Sequence, residues 1–321
     1  MRSAMRAAVL TSVLLATLVG CSGDPGEPQP APPLTTAPTD APAFDPAAPP
    51  ALGVMALVPR SMTDLAVSDY EQVRLDLGVP DLQGSDPRAE SDRFWERAER
   101  TASLLGPNVL REVDDQLAAE FGWTSDDVDW QALFGGPEGT GWVLKIRDDL
   151  PMGDVSRAVE AGVGPLAGAV VVAESHLVTR NAEGNGEASW AAEPELTALA
   201  GAESPGVFVS RTCVTEDSLV PEGELAPVPA ADVEDLDELG PFSLTLGSEL
   251  ATAQLGSARP DAFSRLGLPG VLPATDPDFD EVFVRPVADP GGGRLGWEIT
   301  DPAAAADLAL RRQLPFAVCG G

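Results

Sequence analysis

Lysine, histidine and tyrosine each occur once in the 321 residues, as Lys145, His176 and Tyr70, and only three cysteines are present. The groups that most often serve as general bases, amine or thiol nucleophiles are therefore nearly missing. A Ser-His-Asp triad would have to use His176, and no Gly-x-Ser-x-Gly elbow accompanies it. No Gly-x-x-x-x-Gly-Lys-Ser/Thr loop is present to cradle a phosphate. Basic charge is scarce too: 20 Lys and Arg stand against 51 Asp and Glu, a net charge of −31. Nucleic acid is excluded as a partner, because its backbone is bound through cations that neutralise phosphates. Apolar residues are plentiful, and at 44% they suffice to offset the ordering entropy of a packed core.

Residues 1–20 open with Arg2 and Arg6, run apolar from Ala7 to Val19 and contain no acid. A basic start ahead of about 7–15 apolar residues is the pattern of an export signal. The stretch falls short of the roughly 20 apolar residues of a membrane-spanning helix. It ends in Leu18-Val19-Gly20-Cys21.

That tetrapeptide resembles the lipobox of bacterial lipoproteins. The alanine-, arginine- and proline-rich, lysine-poor composition resembles the actinobacterial type, although the acid excess would also suit a halophilic archaeon. The resemblance ends with the N-terminal segment and leaves the domain behind it unassigned. It implies cleavage between Gly20 and Cys21, diacylglycerol on the Cys21 sulfur, and a place on the extracytoplasmic face of the cell membrane. The bilayer is then the first partner, held through acylated Cys21. Each buried methylene contributes about 0.8 kcal/mol, so two chains hold stably where one is marginal. Loss of residues 1–20 removes Arg2 and Arg6 and no acid, so the mature chain is more acidic still and is repelled by anionic headgroups.

Residues 21–50 read as a lipidated, proline-rich tether. Ten prolines fall within 22–50, and Phe44 is its one aromatic. Proline fixes φ and removes a donor, which favours a semi-rigid polyproline spacer or disordered linker over a helix or sheet interior. From Ala51 to Gly321 the pattern is globular, with sub-halves at 51–200 and 201–321.

The fold class expected is α+β, a mixed or antiparallel sheet packed by helices. Strands are predicted at 63–68, 141–147, 169–173, 176–180, 206–213, 242–246, 281–287, 294–300 and 316–319. Helices are predicted from a Ser68-Asp-Tyr-Glu71 capping box to Gly78, over 91–105, after Asn108, after Thr124 (carrying Val128, Trp130 and Leu133), over 152–162, near 231–238 and from Asp301 to about Arg312. Leu77-Gly-Val-Pro80 and Leu266-Gly-Leu-Pro269 are order-preserving similarities, as are Gly141-Trp142 and Gly296-Trp297. They suggest two related strand–helix–strand halves, with generic α+β patterning as the alternative.

With Cys21 lipidated, Cys213 and Cys319 remain as an even pair in an oxidising compartment, and a disulfide between them is expected. Two thiols and one histidine make a poor zinc site. Asp276-Pro-Asp278-Phe-Asp280-Glu281 alternates carboxylates as a calcium loop does, but position six is Glu281 and position twelve Val287, which departs from an EF-hand. Asp126-Asp127-Val-Asp129 reads as a helix cap favouring the dipole, and Glu234-Asp235 with Asp237-Glu238 as a solvated face. Lys145 reads as a solvated strand residue unless buried. No metal or cofactor is called for, and no catalytic residue is assigned. The function expected is a noncatalytic binding or envelope-interaction module whose partner is an envelope protein or small ligand. The alternative is a hydrolase of cell-wall or sugar substrates using paired carboxylates, with Trp95, Trp123, Trp130, Trp142, Trp190 and Trp297 available to line a sugar groove.

Overall fold

The computed structural model describes residues 43–182, 188–215, 219, 233, 235–272 and 275–320. The expected signal segment, Gly20, Cys21, residues 22–42 of the tether and residues 231, 232 and 234 of the helix expected near 231–238 lie outside them. In chain order the elements are α1 (Pro50–Val54), β1 (Asp64–Asp69), α2 (Tyr70–Asp76), α3 (Arg88–Thr101), α4 (Asp114–Phe121), β2 (Val128–Gly136) and β3 (Gly139–Ile146). Next come α5 (Met152–Glu160), β4 (Val170–Val172), β5 (Leu177–Arg180), α6 (Pro194–Thr197), β6 (Gly206–Ser210), β7 (Phe242–Leu246) and β8 (Leu250–Gln254). The chain ends through α7 (Ala262–Gly267), α8 (Phe279–Val282), β9 (Phe283–Asp289), β10 (Arg294–Ile299) and α9 (Pro302–Leu310).

All ten strands join one open antiparallel sheet in the order β4-β5-β3-β2-β1-β6-β7-β8-β10-β9. Counted outward from the centre, each half repeats one topology: first strand, second, third, fifth, fourth. The halves meet at β1 and β6, where Asp64 faces Ser210 as Ser68 faces Gly206. This register puts Leu65-Ala-Val-Ser68 and Val207-Phe-Val-Ser210 in equivalent places, so the repeat is built into the central pair. The landmarks that suggest the repeat in the sequence are not equivalent. Gly141-Trp142 lies in β3, the third strand of its half, and Gly296-Trp297 in β10, the fifth. Likewise Leu77-Gly-Val-Pro80 follows α2, whereas Leu266-Gly-Leu-Pro269 closes α7, the counterpart of α5.

Alternation along the strands divides the core between two faces. On the inner face, Leu144, Ile146 and Val178 pack with Phe94, Trp95 and Leu117, while Leu244, Ala253 and Leu295 pack with Ala305 and Phe316. On the outer face, Leu65, Val67, Ala132 and Val209 are covered by Val54, Met55, Trp190 and Leu196. The cover reaches back to Phe44, whose ring lies 6.2 Å from that of Trp130. Packing thus starts within the segment expected to be tether. Among the described residues this outer cover lies over the first half and over β6. In the second half Leu250 and Val287 are 62% and 63% exposed. The edge strand β9 is interrupted by Pro286 and by Arg285 at φ 53°, features that oppose pairing with another chain.

Several local expectations change. Asp69, not Ser68, caps α2 by accepting from Gln72 N–H, while the Ser68 hydroxyl accepts from Leu105 N–H. The helix predicted over 91–105 ends at Thr101, since Ala102 is already extended. The helix expected after Thr124 is one 3₁₀ turn over Ser125–Asp127, and Val128–Gly136 is strand β2, paired on both sides. Strand β8 has no counterpart in the sequence reading. Phe316–Cys319 is not a strand. A 3₁₀ turn over Pro315–Ala317 leads to a single parallel bridge between Val318 and Val214.

That bridge sets Cys213 beside Cys319, and the two form a disulfide across 106 residues. Next to it, fully buried Arg265 donates to Asp261 at 2.8 Å, to the carbonyls of Phe316 and Val318 at 3.0 and 2.8 Å, and to that of Asp237 at 2.7 Å. Among the described residues no helix is long and apolar enough to cross a membrane.

Two stability measurements follow. Replacing both Cys213 and Cys319 by serine is expected to lower unfolding free energy by about 2–4 kcal/mol, because the unfolded chain regains the freedom of a long closed loop. Arg265→Met leaves Asp261 and three carbonyls short of a donor, and a loss of about 3–5 kcal/mol is expected in urea unfolding.

Candidate functional site

Two clefts set polar side chains around an open volume. The first lies where Pro46–Pro50 passes the C-terminal end of β1. It has a volume of about 370 Å³, with Asp69, Glu71, Asp129, Lys145, Asp148 and Glu203 in its walls. Asp69 ends β1, Asp129 stands on β2 and Lys145 on β3, so sheet register brings three distant positions together.

Burial governs its electrostatics. Burial pushes Asp69 up to about 6, with repulsion from Glu71 and Asp129 adding to it and the Gln72 N–H and Arg74 opposing it. Burial also raises Asp129, against the pull of Arg74 and Lys145. Arg74 is buried beneath the cleft. It donates through Nη2 to Asp129 at 3.0 Å and through Nη1 to the carbonyls of Asp126 and Val128 at 3.2 and 3.0 Å. Lys145 is only 8% exposed, contrary to a solvated strand position; its Nζ donates to the Ile146 carbonyl at 2.8 Å and to Asp148. The cleft therefore holds an excess of carboxylate, one member of which sits close to half-protonation at mildly acidic pH, and its one lysine is already bonded.

The second cleft is a groove of about 720 Å³ on the inner side, between α3 and the loop after it on one wall and α9 on the other. Trp95, Leu104, Val109, Trp142, Pro165 and Leu310 make it largely apolar. Its charged members are Glu99, Glu112, Asp307 and Arg111. Arg111 is already engaged: it pairs with Asp114 at 2.8 Å and lies 5.2 Å from the centre of the Trp95 ring. Asn108 stands in the wall, 7% exposed, and its Oδ1 accepts from Leu110 N–H, while Nδ2 has no partner. A further groove of about 680 Å³ runs beside the start of α3, where Leu77, Val79, Leu82 and Phe94 meet Arg93 and Arg97.

The residues singled out in the sequence are scattered. Gly20 and Cys21 lie outside the described residues, as does Glu234. Asp235, Asp237 and Glu238 occupy a turn region, where the Asp237 carbonyl accepts from Arg259 and Arg265. His176 is not in a strand. It follows a 3₁₀ turn at φ 51°, with Nδ1 3.1 Å from the Arg147 carbonyl. In the acidic run, Asp278 caps α8 by accepting from Asp280 N–H. Among the described residues no three of His, Cys, Asp and Glu converge as a metal site.

Asp126, Asp127 and Asp129 take three roles rather than one. Asp126 accepts from Trp95 Nε1 at 2.7 Å, Asp127 closes a capping box with Thr124, and Asp129 pairs with Arg74. All six tryptophans are at most 8% exposed, which suits core positions, and only Trp95 and Trp142 also border the large groove. Gly291-Gly-Gly-Arg-Leu-Gly296 has dinucleotide-fingerprint spacing, yet it turns strand β9 into strand β10 rather than opening a helix. The Asp69 cleft goes unflagged in the sequence, where the only hint is Asp69 following an alternating strand.

The Asp69 carboxyl supplies a sign-definite test. An acid whose folded value lies above its unfolded one disfavours folding once pH exceeds both, and has no effect below both. Stability should therefore fall as pH rises from about 4 to about 6. Asp69→Asn, which keeps the cap oxygen for Gln72 N–H, should be more stable than the parent at pH 7 by about 1–3 kcal/mol, the upper end being the shift undiminished by solvent screening. The difference should vanish below pH 4 in urea titrations across pH.

No protein-family model, curated protein or solved structure matches this chain.

Proposed function

We propose that the protein is a lipid-anchored, extracytoplasmic binding module whose ligand occupies the groove between α3 and α9. The observation that carries this reading is the make-up of that groove. Its volume falls in the range of about 300–1,000 Å³ usual for small-molecule sites, and its lining is mostly apolar with a few polar groups, as such sites are. The lining holds no histidine, lysine, cysteine, serine or threonine, so it offers no imidazole base and no amine, thiol or hydroxyl nucleophile, only the carboxylates of Glu99, Glu112 and Asp307. Binding without chemistry is what such a surface does best.

The anchor rests on Leu18-Val19-Gly20-Cys21 and on the basic, apolar segment before it. Two acyl chains on Cys21 would hold an acidic domain at a membrane without help from basic side chains. Cys21→Ala should abolish the acyl mass and shift the protein from the membrane pellet to the soluble fraction or to the unprocessed precursor. Unchanged sedimentation at unchanged mass would end the lipoprotein reading.

A hydrolase using paired carboxylates is the second reading, and the Asp69–Asp129 cleft is the observation that favours it. Raised carboxyls can hold a proton for delivery to a leaving group. Release of sugar from peptidoglycan or oligosaccharides by the wild type, lost in Asp69→Asn, would move the assignment to that cleft.

A further inference from the structure

The base of the expected tether folds down onto the domain. Phe44 lies against Trp130, and Asp45 makes the turn that follows, accepting from Ala47 N–H through its side chain and from Ala48 N–H through its carbonyl. The seat is close, since a Cβ on Gly53 would come within 2.9 Å of the Asp45 carbonyl oxygen. Residues 44–50 thus form a strap, and Pro46–Pro50 makes one wall of the Asp69 cleft.

That wall gives the cleft nothing to hold a charge with. Pro46, Pro49 and Pro50 have no N–H, and those of Ala47 and Ala48 already go to Asp45. Facing Asp69 are Glu71 and Arg74 from α2, Asp129 from β2, Lys145 from β3, Asp148 from the turn after β3 and Glu203 from the loop before β6. Pro46–Pro50 itself carries no titratable group. Arg74 is taken by Asp129 and Lys145 by Asp148. Among the described residues Asp69, Glu71 and Glu203 pair with no cation, and the Asp69 carboxyl accepts only from Gln72 N–H. Three uncompensated carboxyls therefore face a wall that displaces water and donates no hydrogen bond. A proton is bound more tightly with the strap down than with it lifted, and by reciprocity the bound proton holds the strap down.

We propose that residues 44–50 are a pH-operated strap, seated while the Asp69 carboxyl is protonated and lifting from the cleft as that carboxyl ionises beside Glu71, Asp129 and Glu203. The raised value of Asp69, about 6, sets the direction: seating is strongest near pH 4 and weakens towards neutral pH. Lifting adds residues 44–50 to the tether, about 20 Å at polyproline rise. That gain in reach rests on the lipoprotein reading, whereas the strap movement does not.

Hydrogen exchange of the full chain reads the strap through the Ala47 and Ala48 amides, as protection relative to free-peptide rates at each pH. A tenfold change in seating corresponds to one pH unit in the titration of Asp69. Strap protection should fall about tenfold between pH 4.5 and pH 7.5, and should stay below that of the β2 amides throughout. Asp69→Asn should keep the strap seated at both pH values. Phe44→Ser, which loosens the strap without altering the cleft's acids, should make the Asp69 carboxyl titrate about one pH unit lower by carbon-13 NMR. Strap and β2 amides losing protection in step, strap protection that ignores pH, or the parent's pH dependence persisting in Asp69→Asn would each overturn the proposal. So would an Asp69 titration unmoved by Phe44→Ser. None of these measurements depends on a ligand in the large groove or on lipid at Cys21.

Discussion

The antiparallel pairing of β1 with β6 is the contact on which the rest of the sheet depends. Each half contributes five strands, and only this pair joins the halves edge to edge. Its register fixes which side chains face in and which face out. One step of slippage of β1 against β6 would carry Leu65 and Val67 from the outer core to the inner face and put buried Ser68 in their place. Gly206 shows how tight the seam is, because a Cβ there would come within 2.5 Å of the Ser103 carbonyl oxygen. A side chain at that position would have to push the loop that leaves α3 away from the sheet, and that same loop forms one wall of the large groove.

The two halves share a topology but dispose of their last connections differently. After β5 the chain passes to the outer face, where Trp190 and Leu196 help roof the core. After β10 it stays on the inner face as α9, with Ala305, Leu308 and Ala309 packed inward. This difference creates the groove, since α9 lies next to α3 and leaves the space between their flanks open. Among the described residues it also leaves the outer face of β8, β9 and β10 without a second layer. Buried arginines hold the arrangement at both ends. Arg74 ties α2 to the start of β2, and Arg265 ties α7 to the C-terminal turn, each by donating to backbone carbonyls.

Much of the sheet was legible in the sequence because its strands alternate strongly and end at recognisable turns: Gly139–Ile146 after Gly135-Gly-Pro, and β9 and β10 around Pro290-Gly-Gly-Gly293. Val128–Gly136 misled because Val128, Trp130 and Leu133 also fit a helical face, and pairing with strands on both sides decided the matter. Strand β8 escaped because Leu-Ala-Thr-Ala-Gln has little intrinsic strand preference, and its neighbours supply the ladder. Half-sites were harder. Asp69 looked like one acid among 51, and only tertiary structure set it beside Asp129 and Lys145. The groove combines α3, β3 and α9, three elements that no local pattern links. The disulfide was legible because reading Cys21 as a lipidation site leaves Cys213 and Cys319 as an even pair, and the two are bonded in the structure.

The Cys213–Cys319 bond turns everything from β7 to the C-terminal turn into a covalent ring. A protease that severs one peptide bond anywhere inside that ring produces no separate fragment, since sulfur still holds the two pieces together. Strands β7 to β10, whose outer face no described residue roofs, are in this way the part of the sheet best able to survive a single cut with its parts still joined.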